Sequence, residues 1–291
     1  MKVVNFGSLN IDYTYRVEKF IQPGETKAVK GLTVNCGGKG LNQSVALARA
    51  GAQVFHAAFI GPEGSFLVDK LRESGVDVDF IRPAEANCGH AIIQVNDAGQ
   101  NCILIYPGTN TMLTMEYVEE ILSQFAPGDL VLLQNETNLV AEIMEAAARR
   151  GLQVAFNAAP MDDKVAGYPL EKVKWLFVNE TEGAALSRET EYEAIAAALR
   201  RRYPQVNLVL TLGGDGCLYA GEEGSFRVPA NMVKAVDTTA AGDTFTGFFL
   251  RAALEGSSPE EAMTIANKAS AIAVTRPGAA DSIPTWAEVT G

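Results

Sequence analysis

Short runs rich in Val, Ile, Leu and Phe alternate with alanine-rich stretches of helical period along most of this chain. Residues 3–9 precede a helical stretch at 42–50, residues 54–60 precede 66–74, and residues 130–133 precede 139–150. The alternation continues through 153–157, then 175–178 with 181–187, and 208–212. Strand, helix and strand in that order require crossover connections, so the chain is read as α/β, with a central mainly parallel sheet flanked by helices. The crossovers are expected to be right-handed. No repeat, low-complexity run or linker interrupts the pattern, and residues 1–291 are taken as a single domain.

Two places break the rhythm. Strand-to-helix connections usually take a handful of residues, yet about 30 separate Leu9 from the helix at Asn42, and the stretch between residues 83 and 110 repeats the anomaly. Both insertions, residues 12–36 and 83–110, contain strand-like alternation, and Asn96-Asp97-Ala98-Gly99 reads as a hairpin turn. Together they are expected to form a small second sheet. Because both leave from carboxyl ends of strands, where open α/β sheets bind ligands, that sheet should hang over the site as a lid.

Charge and residue usage narrow the function classes. Lys plus Arg number 24 against 35 Asp plus Glu, a net charge of -11 that disfavours nucleic acid and anionic membrane surfaces as partners. No apolar run reaches the ~18 residues of a membrane span. The four cysteines are scattered without a CxxC pair and no apolar leader follows Met1, so a cytoplasmic address is expected. With only His56 and His90, a multi-histidine metal centre is excluded and a Ser/His triad is unsupported.

The strongest local signal is DTTAAGDT at residues 237–244, directly before an apolar helix expected at 245–254. Small residues there leave the first helical N–H groups open to negative charge developing on a transferred group, with Asp243 beside them. A carboxylate at that point can accept a proton from an attacking hydroxyl, but acids also cap helices routinely, and this stretch alone leaves both roles open. A second glycine cluster, CGGKGLN at 36–42, fits neither the Walker pattern nor GxGxxG after a strand. Its glycines allow close approach to a small polar ligand, with Lys39 and Asn42 as donors to hydroxyl oxygens. Asn10 and Asp12 lie two apart and share a face if that strand continues. TLGGDG at 211–216 could admit a nucleotide against backbone, and Asn179 with Glu182 could order water around Mg2+.

In this order, the motifs resemble those of the ribokinase-like carbohydrate kinases, the phosphofructokinase B type superfamily, over residues 3–284. DTTAAGDTF at 237–245 is the most specific match and GGKGLN at 37–42 the next, followed by GSLNID at 7–12, LLQNE at 132–136, NAAP at 157–160, NETE at 179–182 and TLGGDG. The resemblance implies an ATP-dependent sugar kinase in which Asp243 is the base and the N–H groups of Ala241, Gly242 and Asp243 form the anion hole. It implies that Asn10, Asp12, Gly38, Lys39, Asn42, Glu136 and Asp243 bind the sugar. It assigns ATP to Asn179, Thr211, Gly213, Gly216, Gly242 and Asn267, and water-mediated Mg2+ to Asn179 and Glu182. A monovalent-cation site, for K+, maps onto Asp237, Thr239, Ala273, Arg276, Gly278 and Ser282.

Within the superfamily the paired NxD and GGKGxN motifs with Glu136 resemble the ribose-phosphorylating branch most, which makes D-ribose the first expected acceptor and ribose 5-phosphate the product. Leu41 and the segment Tyr106-Pro107-Gly108-Thr109-Asn110 depart from the usual pattern near the expected pocket. Fructose, a sugar phosphate held by Lys39, or a nucleoside walled by Tyr13, Tyr15 and Tyr106 are the competing acceptors, and a non-catalytic sugar-binding protein is the reading from another class. A homodimer through the lid is the expected assembly.

Overall fold

A computed structural model describes residues 1–291. Its strands are β1 (Lys2–Phe6), β2 (Asn10–Arg16), β3 (Gly31–Gly37), β4 (Gln53–Ile60), β5 (Ile81–Pro83), β6 (Gly89–Val95), β7 (Asn101–Tyr106), β8 (Leu130–Gln134), β9 (Gln153–Asn157), β10 (Trp175–Asn179), β11 (Asn207–Thr211), β12 (Cys217–Gly221) and β13 (Gly224–Val228). The helices are α1 (Lys39–Arg49), α2 (Ser65–Glu73), α3 (Met115–Leu122), α4 (Val140–Arg149), α5 (Glu180–Ser187), α6 (Tyr192–Arg202), α7 (Ala241–Leu254), α8 (Pro259–Val274) and α9 (Trp286–Thr290).

The large sheet runs β13-β12-β11-β10-β9-β8-β1-β4-β5, parallel from β5 through β11 and antiparallel only at β12 and β13. Alternate residues of each central strand enter two separate cores. Val3, Leu130, Leu132 and Phe177 pack with α1, α2, α7 and α8, whereas Val4, Phe6, Val131, Leu133 and Val178 pack with α3, α4, α5 and α6. Burial on both faces is why these strands read as unbroken apolar runs. The chain winds outward from β1 in both directions, to β4 on one side and β8 on the other, so a crevice opens at the carboxyl ends of β1 and β8.

The two insertions form the second sheet, in the order β3-β2-β6-β7, with β2 and β6 parallel and both flanking pairs antiparallel. Cross-strand register places Asp12, Ala91 and Ile105 on one face and Val34, Tyr13, Ile92 and Leu104 on the other.

Where boundaries differ from expectation, packing is the reason. The strand expected over 3–9 stops at Phe6, because a Cβ on Gly7 would come within 2.6 Å of the Gly40 Cα and one on Gly40 within 2.2 Å of the Ser8 nitrogen. The chain turns there to receive the first turn of α1, which therefore starts at Lys39, inside the glycine cluster, rather than at Asn42. Helices α3 and α9 went unread, since α3 follows the irregular exit from the second insertion and α9 has only five residues.

Helices α1 and α7 cross so closely that a Cβ on Gly247 would lie 2.4 Å from the Ala46 Cβ and 2.8 Å from the Leu47 nitrogen. The Gly247→Ala variant should therefore lose about 1–3 kcal/mol, as overpacked cores do. Urea denaturation reads this as a lower midpoint, and an unchanged midpoint would show that the two helices separate freely.

Candidate active site

The crevice is furnished by the loop after β1, the loop after β8 and the starts of α1 and α7. Ala240, in the left-handed region with φ 61°, begins α7 without any side-chain cap. Asp243 lies in the first turn, 6% exposed, and its carboxylate does not serve the helix. Instead Oδ2 accepts from Asn42 Nδ2 at 3.0 Å and Oδ1 from Gln43 Nε2 at 2.9 Å. The alternative role as a cap is thus not the one its hydrogen bonds describe. The N–H groups of Gly242 and Asp243 find no acceptor in the chain, while that of Ala241 makes a long bond of 3.3 Å to the Thr238 carbonyl. Two free donors at a helix start, beside a carboxylate, form a cradle for transferable negative charge.

On the acceptor side, Gly38 (φ 95°) turns the chain into α1 so that the Lys39 N–H donates to Glu136 Oε2 at 2.9 Å. The Ser8 hydroxyl donates to the same oxygen. Asn110 Nδ2 donates to Asn10 Oδ1 at 2.7 Å, and Asn110 Oδ1 accepts from the Leu9 N–H at 2.9 Å, so the end of the second insertion fixes the start of the first. Asn42 Oδ1 is buried and has no partner, an acceptor left over for a ligand hydroxyl. Burial, with the Glu136 charge adding to it, raises the Asp12 carboxyl to about 7. Burial also raises Glu136, against the opposing pull of Lys39 and Ser8. Desolvation alone would lower the Lys39 ammonium, but the carboxylates of Asp243, Glu136 and Glu182 outweigh it and raise Lys39. The charges acting on Lys39 thus come from both the acceptor side and the α5 side of the crevice.

Asn179 and Glu182 close the start of α5 as a reciprocal capping box: the Asn179 N–H donates to Glu182 Oε2 and the Glu182 N–H to Asn179 Oδ1, each at 2.9 Å. Glu182 Oε1 keeps no partner within the chain, and burial raises this carboxyl. Thr211 ends β11, and Gly213 (φ 51°) and Gly216 (φ 92°) shape the turn after it. Asn267, on α8, donates to the Pro229 carbonyl at 3.1 Å. Asp237 accepts from the Thr239 N–H at 2.9 Å, the Thr239 hydroxyl at 2.6 Å and the Gly278 N–H at 3.0 Å, and these bonds lower its pKa despite burial. Ala273 and Arg276 end α8 nearby, linked by a backbone bond of 3.0 Å. The Arg276 side chain pairs with Glu288, and the Ser282 hydroxyl donates to the Ala279 carbonyl.

Sequence reasoning missed Gln43, Gln134 and Asn5, and it placed the segment ending at Asn110 near the pocket without the bonds to Asn10 and Leu9 that the fold supplies. Gln43 stands next to the glycine cluster, and Asn5 and Gln134 are polar residues inside apolar strands, wholly buried, which is the signal that was available. Tyr13, Tyr15 and Tyr106, offered as a wall for a nucleoside base, lie by register on the face of the small sheet opposite to Asn10 and Asp12.

Residues 1–286 match the family described as pfkB family carbohydrate kinase. The chain is 35% identical to the ribokinase of Haemophilus influenzae over 97% of its own length and 95% of that protein's. Its fold matches the crystal structure of ribokinase from Cryptococcus neoformans in complex with ADP, at TM-score 0.88 and 30% identity, covering 99% of this chain and 98% of that one. It matches equally the structure of Arabidopsis thaliana ribokinase complexed with ribose and ATP, at TM-score 0.88 and 28% identity, covering 99% and 96%.

The raised Asp12 carboxyl has a measurable consequence for stability. A carboxyl raised to about 7 in the fold from its ordinary 3.8 binds more protons folded than unfolded, so it destabilises the fold progressively as pH rises from about 4 to about 7. Asp12→Asn should raise the melting temperature at pH 8, with the gain fading as pH falls toward 4. A gain that is constant with pH would contradict the assignment.

Proposed function

We propose that the chain, which belongs to the pfkB family of carbohydrate kinases and is a sugar kinase, transfers the γ-phosphoryl group of ATP to the primary hydroxyl of D-ribose, giving ribose 5-phosphate. The observation that carries this reading is the meeting of Asp243, the free N–H groups of Gly242 and Asp243, and the orphaned Asn42 oxygen in one crevice beneath the small sheet. Ribose is favoured because the relatives at 30% identity and above named here are ribokinases over their full length. The tyrosines suited to a nucleoside base face away from Asp12, and Lys39 already lies in the field of three carboxylates, so neither a nucleoside nor a sugar phosphate gains support.

In this reading Asn10, Asp12, Asn42 and Glu136 accept from or donate to the sugar hydroxyls, and Gly38 lets the backbone approach the ring. The Asp243 carboxylate takes the proton of the primary hydroxyl as that oxygen attacks the γ-phosphorus. Gly242 and Asp243 N–H groups, with the weaker contribution of Ala241, stabilise the charge developing on the transferred group. Thr211, Gly213, Gly216, Asn179 and Asn267 line the path assigned to ATP. Mg2+ fits at Glu182 Oε1, the one oxygen of the capping box left without a partner, where it would neutralise phosphate charge through water. K+ is assigned to Asp237 and Thr239 in the loop before α7 together with Ala273, Arg276, Gly278 and Ser282 at and after the end of α8, where it would hold the anion cradle in shape. Closure of the small sheet excludes water, which competes as acceptor.

The small sheet exposes Leu32, Val34, Ile92, Leu104 and Tyr106 on one face and Ile103 and Ile105 on the other, with Leu104 66% exposed. An apolar patch of this kind supports a homodimer formed through the lid. The four cysteines are free, consistent with a reducing, cytoplasmic setting. No helix is long and apolar enough to cross a membrane.

ADP release from Mg-ATP should be fastest with ribose among ribose, fructose, fructose 6-phosphate, 2-deoxyribose and adenosine, and faster with K+ than without. Preference for another acceptor would overturn the ribose assignment. Asp243→Asn should keep sugar binding by calorimetry yet cut turnover about 100-fold or more, and near-normal turnover would remove Asp243 as base. Leu104→Glu should halve the mass found by sedimentation equilibrium, an outcome incompatible with a wild-type monomer.

A further inference from the structure

A line of wholly buried side chains runs from the Asp243 carboxylate into the sheet, and none of them touches the crevice. Gln43 Nε2 donates to Asp243 Oδ1 at 2.9 Å, and Gln43 Oε1 accepts from Gln134 Nε2 at 2.7 Å. The same Gln134 nitrogen donates to Asn5 Oδ1 at 3.2 Å. Asn5 Nδ2 donates to the Gly40 carbonyl at 2.8 Å and to Ser44 Oγ at 2.9 Å. Ser44 Oγ lies 2.8 Å from His56 Nδ1, and His56 Nε2 lies 3.1 Å from the Gly7 carbonyl. Asn5, Gln43, Ser44 and His56 are 0% exposed and Gln134 is 1% exposed.

Chemistry at the two ends fixes the sense of every bond. A backbone carbonyl only accepts, so His56 carries its proton on Nε2, and its Nδ1 accepts from Ser44; burial, which lowers the imidazole to about 4, keeps it neutral. The Gly40 carbonyl likewise demands the Asn5 nitrogen, which leaves Asn5 Oδ1 toward Gln134. At the other end the carboxylate demands the Gln43 nitrogen, which leaves Gln43 Oε1 toward Gln134. Gln134 therefore faces two acceptors and must present its amide nitrogen to both, even though its own oxygen stays buried without a partner. Flipping it would set acceptor against acceptor twice. A fold that tolerates an orphaned oxygen to keep this orientation is holding the far end of the line in place.

We propose that Gln43 and Gln134 are positioning residues for Asp243, locking its carboxylate at Oδ1 so that it meets the acceptor hydroxyl in one orientation. The inference rests on the reading of Asp243 as the base. The links come from the elements around the crevice, Asn5 from β1, Gln134 from β8 and both Gln43 and Ser44 from α1, with His56 added from β4. The base on α7 is thus registered against the same two strands whose loops carry Asn10 and Glu136. A base displaced by an ångström loses its reaction geometry without losing the sugar.

The test is steady-state kinetics of Gln43→Met, Gln134→Met and the double variant, with Asp243→Asn alongside. Gln43→Met should lower kcat about 10- to 100-fold, with the sugar KM within about two-fold of the wild-type value. Gln134→Met should give a smaller fall in kcat, and the double variant should be no slower than Gln43→Met, because the outer link acts through the inner one. Should Gln43→Met fail to fold, the isosteric Gln43→Glu, which sets a second acceptor against Asp243, must show the same loss of kcat at constant KM. A folded Gln43→Met with wild-type kcat beside an inactive Asp243→Asn overturns the positioning role and leaves the base intact. Losses that add across the double variant, or that fall on KM, also overturn it, since they describe a merely structural contact. An active Asp243→Asn overturns the reading on which the inference rests.

Discussion

Two hydrogen bonds from the first turn of α1 to Asp243 hold the molecule's chemistry together. Asn42 and Gln43 reach the carboxylate across 201 and 200 residues of chain, and they do so because α1 and α7 cross at glycine. Gly40 brings the start of α1 onto the backbone of the loop after β1, and Gly247 brings α7 onto the middle of α1. Remove either close approach and the carboxylate loses its donors while the rest of the sheet still forms. The two bonds also turn the carboxylate away from capping, since both of its oxygens accept from amides of α1 and neither serves the helix it stands on.

Around that pair the site concentrates negative charge in a chain that is already acidic. Asp12, Glu136, Asp243 and Glu182 converge on one cleft, and burial raises Asp12, Glu136 and Glu182. Lys39 feels three of them, Asp243, Glu136 and Glu182, and their combined field raises it against desolvation. For a kinase this arrangement is costly in the empty protein and useful in the loaded one. In the proposed reading, sugar hydroxyls would supply donors to the carboxylates, and the free N–H groups at the start of α7 would oppose the charge of the phosphates. Stability is thus lowest where ligand binding repairs it.

The small sheet divides its duties by the two-residue period of its strands. Asn10 and Asp12 point one way and Tyr13 and Tyr15 the other, while exposed apolar side chains lie on both faces, Ile103 and Ile105 on the Asp12 side and Leu32, Val34 and Leu104 on the other. A slip of one residue in β2 would exchange the two faces and place aromatic rings over the sugar. The bond from Asn110 to Asn10 works against such a slip, because it ties the exit of the second insertion to the first residue of β2.

Much of this was legible in the linear chain. Strands such as β9 and β10 announced themselves because burial on both faces demands unbroken apolar residues, and the two overlong connections announced the second sheet because short crossovers are the rule. The glycine cluster and the small-residue run before α7 marked both halves of the site, since close backbone approach and open N–H groups leave few residue types to choose from. The partnerships did not show. Whether Asp243 capped a helix or faced another helix, which face of β2 the tyrosines took, and why Gln134 ends an apolar strand all depended on contacts between residues far apart in sequence. Local chemistry restricts what each residue can do. Only the packing of α1 against α7 and of β1 beside β8 chooses which donor meets which acceptor, because a hydrogen bond is decided by distance and direction in space.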